Sequence, residues 1–103
     1  MNTRELSKAI TLLASIRDFQ NVSIFKIKAL QKIALSLKSL DADAVLNGSC
    51  DTLFSDQSRV WIKQSLKSGV LTELEHAKRE IPIGILDSAE FKSEVKRLSG
   101  YTR

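Results

Sequence analysis

The segment from Ser23 to Leu40, SIFKIKALQKIALSLKSL, constrains the fold most, because its apolar residues recur with the spacing of an α-helix. The residues predicted to face a core are Ile27, Leu30, Ile33, Ala34, Leu37 and Leu40. Lys28 and Lys32 lie four residues apart on the opposite side, and the segment holds four lysines and no acid. The like charges of these lysines repel one another. Their face is either a solvated surface or a contact for an anionic partner.

Capping signals divide the rest of the chain into further short helices. The predicted helices cover residues 3–17, 23–40, 56–68, 72–80 and 88–99, with a short turn opened by Asp41 and ended by Asn47-Gly48. The expected amino-terminal caps are Asn2 with Glu5, Ser55 or Asp56, Thr72 with Glu75, and Asp87 or Ser88. The expected stops are Gly69, Pro82 and Gly100. No segment predicts a strand, so we expect an all-α fold: one domain over residues 1–103, a compact bundle of five or six short helices.

The composition excludes several classes of function. Cys50 is the only cysteine, which rules out an internal disulfide and leaves no cysteine pair with metal-binding spacing. No apolar run approaches the ~18 residues of a membrane span, and the start MNTRELSKAI does not read as a signal peptide. We therefore expect an intracellular protein in a reducing compartment, with no membrane partner, no cofactor and no metal.

The second pattern of interest is a row of cations in the helix predicted over residues 56–68. Arg59, Lys63 and Lys67 fall at i, i+4 and i+8 and share one face, while Val60, Ile62 and Leu66 are expected to make apolar contacts. The block from 23 to 40 carries +4 and the block from 59 to 69 carries +3, so the charge lies on predicted helices. Rows of this kind suit phosphates along a nucleic-acid backbone, and the alternative is two solvated faces that never meet.

Four stretches, in order, resemble the amino-terminal domain of family X DNA polymerases, the group of polymerase beta, polymerase lambda and terminal transferase. They are LSKAITLLASIRDF, VSIFKIKALQKIALSLKSL, WIKQSLKSGVLTELEHAKRE and EIPIGILD. The resemblance covers nearly the whole chain and implies a small all-helical domain that binds the 5′-phosphate side of gapped or nicked DNA. In several members of the family a lysine also forms a Schiff base that removes a 5′-deoxyribose phosphate.

The resemblance also implies roles for single residues. Lys26 matches a basic position that contacts the 5′-phosphate, and Lys32 matches another basic position. Phe25 falls where some members place a ring that stacks on a template base; the alternative is that it packs the start of the helix into the core. The Schiff-base position reads Trp61, which cannot serve as an amine nucleophile and which we expect to be a core residue. Leu30 stands where lyase-active members often have tyrosine.

A further departure concerns the helix-hairpin-helix unit. The family's glycine-containing hairpin is replaced by LFSDQSRV, which has no glycine and adds an acid, so the unit is degenerate. The leading expectation is a non-catalytic module for gapped, nicked or single-stranded DNA in replication or repair. Its expected contacts are Phe25, Lys26, Lys28, Lys32, Arg59, Lys63 and Lys67.

Two alternatives stay open. The first is a helical protein-interaction domain of a replication or repair complex that has lost DNA binding, which an exposed apolar patch around Leu35, Phe54 or Trp61 would support. The second is a lyase that uses a relocated lysine. The closing residues VKRLSGYTR resemble the entry to another hairpin, which fits either an excised domain or a stand-alone protein.

Overall fold

The computed structural model describes residues 1–81, 84, 88, 89, 91–93 and 96. Within them the chain forms five α-helices and a single 3₁₀ turn, and no residue is in a strand. The helices are α1 (Thr3–Phe19), α2 (Ile24–Lys38), α3 (Ala42–Leu46), α4 (Asp56–Ser68) and α5 (Thr72–Glu80), with the 3₁₀ turn at Asp51–Leu53 between α3 and α4. The expected all-α class is confirmed.

Helix α1 is the centre of the bundle, and α2 packs along most of its length. Leu6, Ile10, Leu13 and Ile16 of α1 are fully buried, as the apolar spacing predicted. From the other side, Ile27, Ala34 and Leu37 of α2 are also fully buried, while Leu30, Ile33 and Leu40 are partly buried. The core face of α2 is therefore the predicted one, which leaves its lysines on the outside.

Small polar side chains at i, i+4 spacing form a buried seam along α1, and two of them bond to carbonyls of α2 and of Leu40 beyond its end. Thr3, Ser7, Thr11 and Ser15 are all buried. The Ser7 hydroxyl donates to the Ala34 carbonyl at 2.7 Å, and the Thr3 hydroxyl donates to the Leu40 carbonyl at 2.7 Å. Buried hydroxyls need such partners, and their small size lets the two helices approach closely. This seam fixes how α2 lies on α1.

Most helix ends follow the predicted caps. Asn2 Oδ1 accepts from the Glu5 amide at 2.8 Å, and Ser55 Oγ accepts from the Ser58 amide at 3.3 Å. Gly69 ends α4 in the left-handed conformation at φ 78°, which a side chain would disfavour. Ser88 Oγ accepts from the Phe91 amide at 3.1 Å, so Ser88 caps the start of the last predicted helix.

Other boundaries differ from the prediction. Helix α1 continues to Phe19, because Asn21 at φ 61° makes the turn that was expected earlier in the chain. The capping box of Thr72 and Glu75 is wrong: Leu71 occupies the N-cap of α5 and supplies no side-chain hydrogen bond. Positions 89, 91–93 and 96 are helical, while Pro82, Gly100 and the remainder of the helix predicted over 88–99 lie outside the described residues.

Candidate nucleic-acid interface

The outer face of α2 presents Lys28 and Lys32, and a third lysine, Lys26, projects from another side of the helix, about 160° from Lys28. Lys26, Lys28 and Lys32 are all exposed, and none of them forms an ion pair with a carboxylate in the described part of the chain. Lys28 and Lys32 lie one turn apart, about 6 Å along the helix axis. The absence of acidic residues within α2 explains the arrangement, because no i, i+4 partner is available to any of these lysines.

Phe25 lies on the same outer face, at the start of α2. Its exposed fraction is 80 %, the largest of any large hydrophobic residue in the described part of the chain, so the alternative that it packs into the core is wrong. Phe25 and Lys32 are seven residues apart and therefore share one side of the helix. A solvated ring bordered by lysines can stack on a base while the cations contact phosphates.

The cation row on α4 is arranged differently, because carboxylates from the preceding turn neutralise it. Lys63 Nζ lies 3.0 Å from an Asp51 carboxylate oxygen, and Arg59 lies 3.9 Å from the same carboxylate. Arg59 also pairs with Asp56. Of the three predicted cations on α4, only Lys67 is exposed and without an ion pair to a described residue. The geometry therefore leaves little uncompensated charge in this row.

The two basic rows also point in different directions. Trp61 and Ser58 lie on the side of α4 that faces α2. Arg59 and Lys63 are each two residues from Trp61, which places them about 160° around the helix from it. The structure thus does not bring the lysines of α2 and the cations of α4 onto one surface.

The stretch LFSDQSRV, residues 53–60, contains the last residue of the 3₁₀ turn, the cap of α4 and the start of α4. The Ser55 hydroxyl accepts a hydrogen bond from the Ser58 amide, and the Asp56 carboxylate lies in the first turn of α4. A phosphate at this helix start would meet a carboxylate and would compete with a side chain for a backbone donor. This helix start is therefore a poor site for a phosphate.

Between α2 and α4 lies an open groove of about 460 Å³, called the α2/α4 groove below. Its lining residues are Arg17, Val22, Lys26, Ala29, Leu30, Ile33, Ser58, Trp61 and Glu73. Trp61 is half-buried and forms one wall, so it is neither the enclosed core residue that we expected nor a free platform. Lys26 borders this groove, whereas Lys28 and Phe25 lie outside it.

Ion pairs at one end of the groove hold α1 against α5. Arg17 Nη1 donates to Glu80 Oε2 at 2.7 Å, and Arg17 Nη2 lies 3.6 Å from Glu73. The Arg17 guanidinium and the Gln20 amide, which both donate hydrogen bonds to Glu80, hold the pKa of that carboxyl below its ordinary value of 4.5. Arg17 is therefore compensated, in contrast to Lys26 on the opposite rim.

Exposed apolar residues give a mixed result for the predicted patch. Phe54 is buried, while Leu35 is 45 % exposed. Val60, which was expected to make apolar contacts, is 68 % exposed, since it lies on the outer side of α4 where Ile62 and Leu66 turn inward. Ile24 is a further exposed residue that the sequence pattern did not single out. The predicted patch around Leu35, Phe54 and Trp61 is therefore not exposed as one unit, because Phe54 is buried and Trp61 is half-buried.

Comparison with known proteins gives no family for this chain: no family model matches it, and searches of curated proteins and of solved structures return no similar protein. None of the described helices is both long and apolar enough to cross a membrane. Among the described residues no group of histidine, cysteine and acidic side chains could hold a metal ion. The resemblance to family X polymerases stays a prediction, and the function proposed below is based on the geometry of α2.

Proposed function

We propose that this protein is a non-catalytic nucleic-acid-binding module whose helix α2 contacts the sugar-phosphate backbone of gapped, nicked or single-stranded DNA. One observation carries the proposal: the 80 % exposed Phe25 shares the outer face of α2 with Lys28 and Lys32, and neither these two lysines nor the neighbouring Lys26 forms an ion pair with the described carboxylates. The contacts are Phe25 and these three lysines. Arg59 and Lys63 are left out because Asp51 and Asp56 already neutralise them.

The physical basis of binding is electrostatic. Lysines that repel one another gain free energy when phosphates replace the counterions around them, and the released counterions make affinity fall steeply with salt. Backbone contacts of this kind carry no sequence information, so binding is tolerant of sequence. Phe25 adds base stacking, which contributes about 1–3 kcal/mol per base and requires an unpaired or frayed base. Single-stranded and gapped substrates should therefore bind more tightly than an intact duplex.

The first experiment is a salt titration of binding to a 5′-phosphorylated gapped duplex and to a single strand, with an intact duplex of equal length as the control. The proposal predicts tighter binding to the gapped and single-stranded forms and a slope of log K against log salt of about −2 to −3, from three lysine contacts. A lack of binding to all three forms at low salt would show that the lysine face is only solvated.

The proposal includes the absence of lyase chemistry, and this part has its own test. Schiff-base formation needs an amine with a lowered pKa, and Trp61 occupies the position at which the resembled family has its lysine. Lys26 is the lysine that borders the same groove. Borohydride reduction in the presence of an abasic-site duplex should trap no covalent adduct. A trapped adduct that disappears in Lys26→Ala would identify a relocated nucleophile and overturn the non-catalytic assignment.

A further inference from the structure

The α2/α4 groove continues into a second depression along α2, and together they form a trough. The two parts share Ala29, Ile33 and Ser58, and the second part adds Lys32, Ser36 and Leu53 among its lining residues. Along α2 the trough extends from Lys26 to Ser36, which is about 15 Å or three helical turns. An open trough of this length between two helices suits the apolar face of a partner helix.

The charges along the trough indicate which kind of helix would fit. Lys26 borders one end and Lys32 lies about 9 Å further along the axis of α2, and neither forms an ion pair with a described residue. The other ionised groups that line the trough are Arg17 and Glu73; Arg17 lies 3.6 Å from Glu73 and pairs more closely, at 2.7 Å, with Glu80. The residues that line the trough therefore combine apolar side chains with an excess of positive charge, three cations against the one carboxylate of Glu73.

We propose that the trough binds an acidic amphipathic helix from another protein. Leucine-like side chains of the partner would lie on Leu30, Ile33 and Trp61, and its carboxylates would meet Lys26 and Lys32. This inference goes beyond nucleic-acid binding: Lys26 and Lys32 belong to both proposed surfaces, whereas Phe25 and Lys28 lie outside the trough and serve nucleic acid alone. Charge complementarity favours an acidic helix, because a basic helix would repel the two lysines and a neutral helix would leave their charge unpaired.

The chain's own carboxyl-terminal stretch is a poor occupant by the same criterion. Residues 92–103 contain four basic residues and one acid, so this stretch would repel Lys26 and Lys32. A second copy of α2 is unsuitable for the same reason, because α2 has lysines and no acid.

Trp61 provides a direct readout, because it is the only tryptophan of the chain and forms a wall of the trough. The probe is an acetylated peptide with leucines at i, i+3, i+4 and i+7 and glutamate or alanine elsewhere, free of tryptophan and tyrosine. Titration should give a saturable change in Trp61 emission. A peptide with lysine in place of each glutamate, and a permuted peptide of the same composition, should each bind at least about fivefold more weakly.

Two variants with the same charge change separate the trough from the outer face of α2. Lys26→Glu should weaken binding of the acidic peptide by about fivefold or more, whereas Lys28→Glu should change it by less than about twofold. Both side chains are exposed, so both variants should keep the helical circular dichroism of the native protein. For single-stranded DNA, Lys28→Glu should weaken binding at least as much as Lys26→Glu does, because Lys28 lies on the face that carries Phe25.

Three results would overturn the proposal. One is an acidic peptide that produces no saturable change, and another is equal binding by the acidic and basic peptides. The third is a single-stranded oligonucleotide that shifts Trp61 emission and loses more affinity in Lys26→Glu than in Lys28→Glu, which would assign the trough to nucleic acid. Failure of the peptide alone would leave the salt-dependent binding of DNA by Phe25 and Lys28 unaffected, so the two proposals can fail separately.

Discussion

Helices α2 and α4 present rows of cations with similar spacing, but their surroundings differ. On α2, Lys28 and Lys32 have no described carboxylate as a partner, while on α4 Arg59 and Lys63 share Asp51. The difference shows that the spacing of cations along a helix predicts which side chains share a face but not whether their charge is available. Availability depends on what the rest of the fold places beside them, and here a 3₁₀ turn places a carboxylate beside one row.

The largest expected effect comes from reversing the charge on the uncompensated row. Lys28→Glu combined with Lys32→Glu should weaken binding to single-stranded DNA by about a hundredfold at low salt and lower the salt slope by about two, uniformly across sequences. Fluorescence anisotropy across a range of salt concentrations measures both quantities.

The matched control for this double variant is Arg4→Glu with Lys8→Glu, which makes the same charge change at the same spacing on the exposed side of α1. This control variant should lose much less affinity for DNA, because only long-range repulsion would act on the bound strand. Equal losses for the two double variants would mean that α2 has no special part in binding.

Removal of the exposed ring should have the next largest effect. Phe25→Ala should weaken binding to single-stranded DNA by about tenfold, because a stacking contact of about 1–3 kcal/mol is lost, and it should leave binding to an intact duplex nearly unchanged. The melting temperature should also stay nearly unchanged, since the side chain is 80 % exposed. A clear loss of thermal stability would show that Phe25 is a packing residue.

Removal of the carboxylates that pair with the cations of α4 should strengthen DNA binding. Asp51→Asn with Asp56→Asn frees Arg59 and Lys63, and DNA affinity should rise by about three- to tenfold as new phosphate contacts become available. Asp41→Asn with Asp43→Asn removes the same number of charges at exposed positions at the start of α3 and serves as the control. A gain no larger than the control's would show that the α4 row cannot reach DNA even when it is uncompensated.

The smallest expected effect concerns the other compensated cation, Arg17. Hydrogen bonds from Arg17 and Gln20 lower the pKa of Glu80, so the folded state is stabilised when Glu80 is ionised. That stabilisation is present above the ordinary pKa of 4.5 and is lost as the pH falls through the lowered value. Glu80→Gln should therefore lower the melting temperature slightly at neutral pH, and the difference should vanish in acid. A difference independent of pH would indicate a purely steric effect.

Local signals predicted much of the fold. Asn2, Ser55 and Gly69 set helix ends through hydrogen bonds or dihedral angles within a few residues, so their roles could be read from the sequence. The apolar spacing of α2 likewise gave the buried face that includes Ile27 and Ala34. Local signals also failed at two helix ends: α1 runs past its predicted end to Phe19, and Leu71 instead of Thr72 is the N-cap of α5.

The geometry of the candidate site depended on contacts between elements that are distant along the chain, which local signals do not predict. Asp51 pairs with Lys63 across 12 residues, and no helical spacing rule connects the 3₁₀ turn to α4. Trp61 and Phe25 have apolar surfaces of similar character, and only the packing of α4 against α2 determines that Trp61 borders a groove while Phe25 is solvated. The i, i+4 series of Thr3, Ser7, Thr11 and Ser15 was a signal that could have identified the polar seam of α1.

The most direct test of the central claim is a titration of ¹⁵N-labelled protein with a short single-stranded oligonucleotide, followed by amide chemical shifts. The account predicts shifts concentrated at the start and outer face of α2, around Phe25, Lys28 and Lys32, with little change around Arg59 and Lys63. Shifts concentrated on α4, or no shifts at low salt, would contradict it.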